Sequence, residues 1–272
     1  MHPIMFHFGH LAVSSYGIML AIAFLTALWT ASRRGLREGI PSEKVFNPGT
    51  FDLMVWLIVG GFAGARIWNI VSDWSVHFPI FNTTEILRLV WRGGYSFYGG
   101  LIGGMVACFL FVRIHGLPLW RMTDILAPSI ALGYAIGRIG CLLAGCCYGR
   151  PCSLPWAITF PNQCRIAPSG IPLHPTQVYE SLLNLILYAI LLWLYPRKKF
   201  DGQIFAIYLI GYSLLRLFVE IYRGDSPMEY FGGYATKTQI ASSVVFIAGL
   251  ALIVLLPKSS DGQRLGTTYK AR

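Results

Sequence analysis

Seven stretches of this chain are apolar, nearly free of charge and about 20 residues long, the length a helix needs to cross the hydrocarbon of a bilayer. They run over residues 11–32, 52–71, 95–112, 123–143, 177–195, 203–222 and 239–256. Only 12% of residues are charged and mean hydropathy is +0.56, too much apolar surface for one water-soluble core of this size to hide. The expected fold is therefore all-α and polytopic, with seven transmembrane helices in a single integral membrane domain spanning residues 1–272. Met1 to His10 carries no basic segment of the kind that opens a cleavable leader, so the first helix is expected to stay in the membrane.

The formal charge of +10 would raise nucleic acid as a partner for a soluble protein, but in a polytopic one it follows from the bias of cytoplasmic loops toward Lys and Arg. Thirteen basic residues, among them Arg33, Arg34, Arg37, Arg113, Arg121 and Arg197 to Lys199, fall on one side of the expected spans and six on the other. By the positive-inside rule the N-terminus is outside and the C-terminus cytoplasmic. The outer side then receives the long connections 73–94, 147–175 and 223–237, the first with an interfacial pattern of Trp74, Phe78, Phe81 and Trp91, the second rich in proline. A polar tail at 258–272 is expected to be loose.

Ionisable groups inside hydrocarbon are costly, so each one needs a partner or a function. Among those within the spans are Arg66, Arg138, Arg216 and Glu220. Arg216, Glu220 and Arg223 lie four and three residues apart, on one helical face near the outer end. Arg138, in a second helix ending on the same side, reaches a similar depth. Glu220 alone cannot neutralise two guanidiniums, and a spare arginine suits a phosphate, whose oxygens match its planar fork of donors. Glycines surround these positions: Gly60, Gly61 and Gly64 precede Arg66, Gly133, Gly137 and Gly140 flank Arg138, and Gly99, Gly100, Gly103 and Gly104 follow Tyr98. They serve close helix packing, backbone approach to a ligand, or both. An anion or phosphate-ester transporter would use such residues too, but the charges gather at one face rather than along a path, and no internal repeat is visible.

Gly137-Arg138-Ile139-Gly140 with Gly145 and Gly149, then His174-Pro175-Thr176-Gln177-Val178-Tyr179-Glu180, then Gly211-Tyr212 leading to Arg216, Glu220 and Arg223, resembles the prolipoprotein diacylglyceryl transferase family. The likeness extends from Tyr16-Gly17 to Gln239. It implies a bacterial inner-membrane enzyme that moves the diacylglyceryl group of phosphatidylglycerol to the lipobox cysteine of a preprolipoprotein signal peptide, forming a thioether and releasing glycerol phosphate. No cofactor and no metal are implied, and a monomer with no nucleic-acid partner is expected; a lipid-binding relative with another acceptor is the alternative. By position, Arg138 and Arg216 are the catalytic arginines the likeness implies. Tyr16, Arg66, Gly99, Gly100, Gly140, Glu220 and Arg223 are implied in holding the lipid. Where the family commonly has a histidine before Gly99-Gly100, proposed as a base, this chain has Tyr98; Cys141 and Cys146 stand where an asparagine and an acidic residue are expected. Tyr98 could donate a hydrogen bond to phosphate, and His174 is the other candidate base.

Five cysteines, Cys141, Cys146, Cys147, Cys152 and Cys164, cluster at or beyond the outer end of the fourth helix. In an oxidising compartment a bridge from Cys146 or Cys147 to Cys152 or Cys164 would pin the long loop. Metal binding has against it the lack of paired C-x-x-C spacing and of a nearby histidine. A nucleophilic Cys141, on the Arg138 face, is a third reading. Cys108 is expected to pack in the third helix.

Overall fold

A computed structural model describes residues 4–8, 11–40, 53–72, 96–162, 164, 166–225, 230, 233 and 235–269, without the side chains of 7, 8, 11–13, 97, 98 and 258–269. Two short strands, β1 (Ile4–Phe8) and β2 (Leu11–Ser14), pair antiparallel ahead of seven long helices: α1 (Ser15–Arg37), α2 (Leu53–Ser72), α3 (Phe97–Ile114), α4 (Leu119–Ala144), α5 (Thr176–Leu194), α6 (Gln203–Glu220) and α7 (Lys237–Tyr269). Between α4 and α5 lies a second small ribbon, β3 (Ile158–Thr159) with β4 (Pro172–Leu173). Among the described residues six helices are long and apolar enough to cross a membrane, and α3 contributes a shorter apolar stretch, Gly99–Ile114. The fold is that of an all-α polytopic membrane protein.

Each expected span has its helix within a few residues, with one correction. Leu11–Ser14 is a strand, and α1 starts at Ser15: four apolar residues continuous with a helix cannot be told from its first turn by hydropathy. At the other end the helical backbone of α7 runs through Tyr269. The outer connection 73–94 lies outside the described residues.

The chain divides into two compact units, residues 32–122 and residues 1–31 with 123–272. In the first unit α2 and α3 are in backbone contact. A Cβ on Gly64 would meet the Gly103 Cα at 2.6 Å, one on Gly103 would meet the Gly64 Cα at 2.8 Å, and Gly60 faces Ala107. Those glycines are used for packing. Beside them the two helices line an apolar groove of about 690 Å³ with Val59, Ile67, Trp68, Ile102, Val106 and Leu110. Arg121 pairs with Glu38 at 3.0 Å.

In the second unit α1 packs on α4 through Gly133, whose added Cβ would lie 3.2 Å from the Ala23 carbonyl, and through Gly140, 2.9 Å from the Met19 Cβ. Ala127, Ala131, Leu187, Leu191, Tyr195, Ile204 and Tyr208 make the buried apolar core of α4, α5 and α6. Asp124, fully buried, accepts from the backbone N–H groups of Gly202 (2.9 Å) and Phe205 (3.0 Å) and so caps α6 from α4. Helix α5 is inverted relative to a helix in water. It buries Thr176, Gln177, Glu180, Ser181 and Asn184 and exposes Leu182, Ile186, Ile190 and Trp193, which places its polar face inward and its apolar face where lipid would be.

Candidate active site

The buried polar face of α5 meets the charged ends of α4 and α6. Glu180 Oε2 accepts from Nε of Arg138, and Glu180 Oε1 from a terminal nitrogen of Arg216. All three side chains are 12% exposed or less. One carboxylate from one helix therefore holds guanidiniums from two others. The shared depth of the arginines has a simple origin: Asp124 meets Gly202 at one end, and Arg138 meets Arg216 across Glu180 at the other, each pair fourteen residues further along parallel helices. At 1.5 Å per residue that is about 21 Å of matched register. Tyr134 and Tyr212 fill the interval with edge-to-face rings 5.3 Å apart.

The expectation that Glu220 is the sole counter-charge is corrected. Glu220 Oε2 lies 3.1 Å from Arg216 and 3.8 Å from Arg223, while Oε1 accepts from Thr236 at 2.8 Å. Arg223 makes a bidentate pair with Asp225, at 2.9 and 2.7 Å. Arg138, Arg216 and Arg223 thus face Glu180, Glu220 and Asp225. Burial raises the Asp225 carboxyl above its usual value and the Arg223 charge opposes the rise. Glu180 gave no spacing signal of its own, since its partners lie 36 and 42 residues away in the chain.

The network orients the guanidiniums without exhausting them. Arg138 donates from Nε to Glu180, from one terminal nitrogen to the Tyr134 hydroxyl, and sets the other 4.0 Å from Cys141 Sγ. Each terminal nitrogen carries a second N–H. Its Cζ also sits 4.7 Å over the Tyr134 ring, a cation–π contact.

The loop beyond α4 is fastened to the start of α5 by the motif residues. Thr176 Oγ1 donates to the Cys147 carbonyl (2.7 Å), Gln177 Nε2 to that of Cys146 (2.8 Å), and Gly149 N to that of His174 (3.2 Å). A Cβ on Gly149 would stand 2.5 Å from His174 Cβ, so the glycine is required by the close approach. His174 is held here, its Nδ1 3.3 Å from the Tyr179 hydroxyl and its ring 5.1 Å from that of Tyr222. The hydrogen bonds and ring contacts of its side chain are with Tyr179 and Tyr222, not with Arg138 or Arg216. Tyr16, 39% exposed, starts α1 beside Gly140, where an added Cβ would lie 3.4 Å from Tyr16 Cδ2. Arg66, Gly99 and Gly100 belong to the other unit, Gly99 packed on Gly64 and Trp68 and Gly100 on Gly61 and Ala65. The Tyr98 side chain lies outside the described residues.

All six cysteines are free thiols, and the bridge expected from Cys146 or Cys147 to Cys152 or Cys164 is not formed. Cys164 is buried instead in a small apolar cluster with Phe160, Ala167 and Leu173, and the Cys152 backbone bonds Pro172. Cys141, Cys146 and Cys147 turn toward one another, their Sγ atoms within 4.8 Å. Hydrogen bonds from Cys141 and Cys146, then the charges of Arg138 and Arg223, hold the Cys147 thiol below its usual value, while Cys146 is pushed up by bonding to its two neighbours.

Residues 3–255 match the family model described as prolipoprotein diacylglyceryl transferase. The chain is 36% identical over 225 residues to a phosphatidylglycerol–prolipoprotein diacylglyceryl transferase of Clostridium tetani, covering 83% of this chain and 86% of that protein. It is 36% identical over 263 residues to one of Synechocystis, covering 93% and 89%. To one of Bordetella avium it is 34% identical over 263 residues, covering 96% and 97%.

Proposed function

We propose, because the chain belongs to the prolipoprotein diacylglyceryl transferase family, that it transfers the diacylglyceryl group of phosphatidylglycerol to the lipobox cysteine of a prolipoprotein at the Arg138–Glu180–Arg216 cluster. The observation that carries this placement is the single buried carboxylate of α5 joining guanidiniums from α4 and α6. The enzyme works in the bacterial inner membrane, with its N-terminus and the ends of α4 and α6 that hold the cluster on the outer side.

In the transfer, the acceptor thiolate attacks the glycerol carbon that bears the phosphate ester. The C–S bond forms as the C–O bond breaks, and the electron pair leaves on the phosphate oxygen. Negative charge therefore grows on the phosphate as the reaction proceeds. Arg138 and Arg216, already fixed by Glu180, offer their remaining N–H donors to that charge without having to reorganise, so they favour the transition state over the ground state. Each donor is worth about 3–4 kcal/mol in a water-poor site. Glu220 and Asp225 hold Arg216 and Arg223 in register, and Tyr134 holds the far edge of Arg138. The packing of Tyr16 beside Gly140 supports a place for the lipid near the Arg138 turn.

Purified protein in phosphatidylglycerol-containing vesicles, given a lipobox peptide, tests this. Equimolar glycerol phosphate and peptide carrying one diacylglyceryl group on its cysteine are expected. Glycerol phosphate without modified peptide, or neither product, would refute it.

A further inference from the structure

The three thiols at the end of α4 are arranged as a ligand set. α4 ends at Ala144, Gly145 turns the chain with φ 75°, and Cys147 takes φ 60°, a left-handed conformation a cysteine rarely adopts. The turn is not loose. Cys146 N bonds back to the Cys141 carbonyl at 3.1 Å, and the carbonyls of Cys146 and Cys147 are clamped by Gln177 and Thr176. These constraints bring three Sγ atoms from two turns of chain within 4.8 Å of one another. Tetrahedral zinc with Zn–S bonds of 2.3 Å would need sulfurs about 3.8 Å apart, a closure of at most about 1 Å. Arg138 flanks the group, 4.0 Å from Cys141 Sγ, and provides a cation for a site in which three thiolates around one divalent ion leave a net negative charge. Three protein ligands and an open fourth position are the pattern of a reactive rather than a closed zinc site.

Among the described residues the neighbouring site offers no uncommitted base, a need this would meet. A free cysteine thiol, with a pKa near 8.5, is mostly protonated at neutral pH. Around the guanidiniums the carboxylates are committed to arginines, Tyr134 to Arg138, and His174 to Tyr179 and Tyr222. A thiol that coordinates zinc loses its proton outright.

We infer that Cys141, Cys146 and Cys147 bind one zinc ion as thiolates, and that its fourth position takes the acceptor cysteine of the prolipoprotein, a role that rests on the transferase activity proposed above. The acceptor thiol gives its proton to water as its sulfur binds zinc. That sulfur then attacks the glycerol carbon, and the C–O electron pair departs with the phosphate, so the phosphodiester monoanion becomes a monoester dianion and one proton is released overall. The product sulfur is a neutral thioether, a poor zinc ligand, and it dissociates. No oxidant or reductant takes part.

The test uses the full chain, purified under reducing, oxygen-free conditions, stripped with a chelator and titrated with Zn²⁺ or Co²⁺. One ion per chain is expected, with thiolate-to-cobalt charge-transfer absorption in the near ultraviolet, and addition of a lipobox-cysteine peptide should shift the cobalt d–d bands even without phosphatidylglycerol. Cys141→Ser and Cys147→Ser should weaken metal binding by more than the roughly 10–100-fold that loss of an outer-shell partner costs, whereas Cys108→Ser should leave it unchanged. Metal-free protein should lose transfer and regain it with zinc. The inference is overturned by substoichiometric binding, by a cobalt spectrum that ignores the peptide, by full transfer from metal-free protein, or by a disulfide within the trio in the native protein. If no form transfers lipid, the activity reading fails, yet stoichiometry and the peptide-induced shift still decide the metal site.

Discussion

Glu180→Gln keeps the shape of the side chain that ties three helices together and removes its charge. The wild-type carboxylate is 4% exposed and serves Arg138 and Arg216 at once. Removing one partner of a buried ion pair costs about 3–5 kcal/mol, chiefly because the other charge is left behind. Arg216 can lean on Glu220, 3.1 Å away, but among the described residues Arg138 pairs with no other carboxylate. The loss therefore falls mainly on Arg138, and about 3 kcal/mol is the expected total. At roughly 2–4 °C per kcal/mol for a chain of this size, the thermal midpoint of the detergent-solubilised protein should drop by about 10 °C. A double-mutant cycle with Arg138→Gln isolates the pair. The two changes should be non-additive, with a coupling of about 2 kcal/mol, because once Arg138 is neutral the lost carboxylate matters less. A midpoint within about 2 °C of wild type, or additivity within about 0.5 kcal/mol, would refute the assignment of Glu180 as the shared counter-charge.

Four further outcomes are expected. Arg138→Lys and Arg216→Lys keep the charge but lose the planar fork, and glycerol phosphate release should fall roughly 100-fold while the protein stays folded. His174→Ala should leave transfer within about tenfold of wild type, since the ring is engaged with Tyr179 and Tyr222; near-abolition would return it to the role of base. Gly64→Ala drives a methyl group into α3, where Gly103 Cα stands 2.6 Å from the added atom, and should destabilise the protein by about 1–3 kcal/mol, whereas Gly104→Ala, with nothing within 4 Å, should change little in a thermal melt. Asp124→Ala removes two backbone hydrogen bonds at the start of α6 and should cost about 1–2 kcal/mol in the same melt, with activity per folded molecule retained.

The positions of the helices were legible because the bilayer imposes a length: a charge-poor run of about 20 residues has few other uses. Arg138, Arg216 and Glu220 were legible for a related reason, since a charge inside such a run is conspicuous, and Arg223 followed from its spacing to them. Their neutralisation was not. Glu180 sits in the first turns of α5, beside the proline-rich connection, where a carboxylate looks like part of a helix start rather than a buried bridge. Asp124 was hidden likewise, at the edge of an expected span, yet it caps a helix about 80 residues away in the chain. The spacing Cys141, Cys146, Cys147 has no familiar metal pattern because its geometry depends on two left-handed residues, Gly145 and Cys147, and on clamps from Thr176 and Gln177 that hydropathy does not report.

The central claim is that Arg138 and Arg216, acting as one unit through Glu180, stabilise the charge that develops on the departing phosphate. Single-turnover transfer from saturating phosphatidylglycerol to a lipobox peptide measures this directly in wild type, Arg138→Ala, Arg216→Ala and the double variant. Each single variant should slow transfer by at least about 100-fold, and the double variant should be little slower than the worse of the two. Single variants within about tenfold of wild type would contradict the account and place the chemistry elsewhere in the chain.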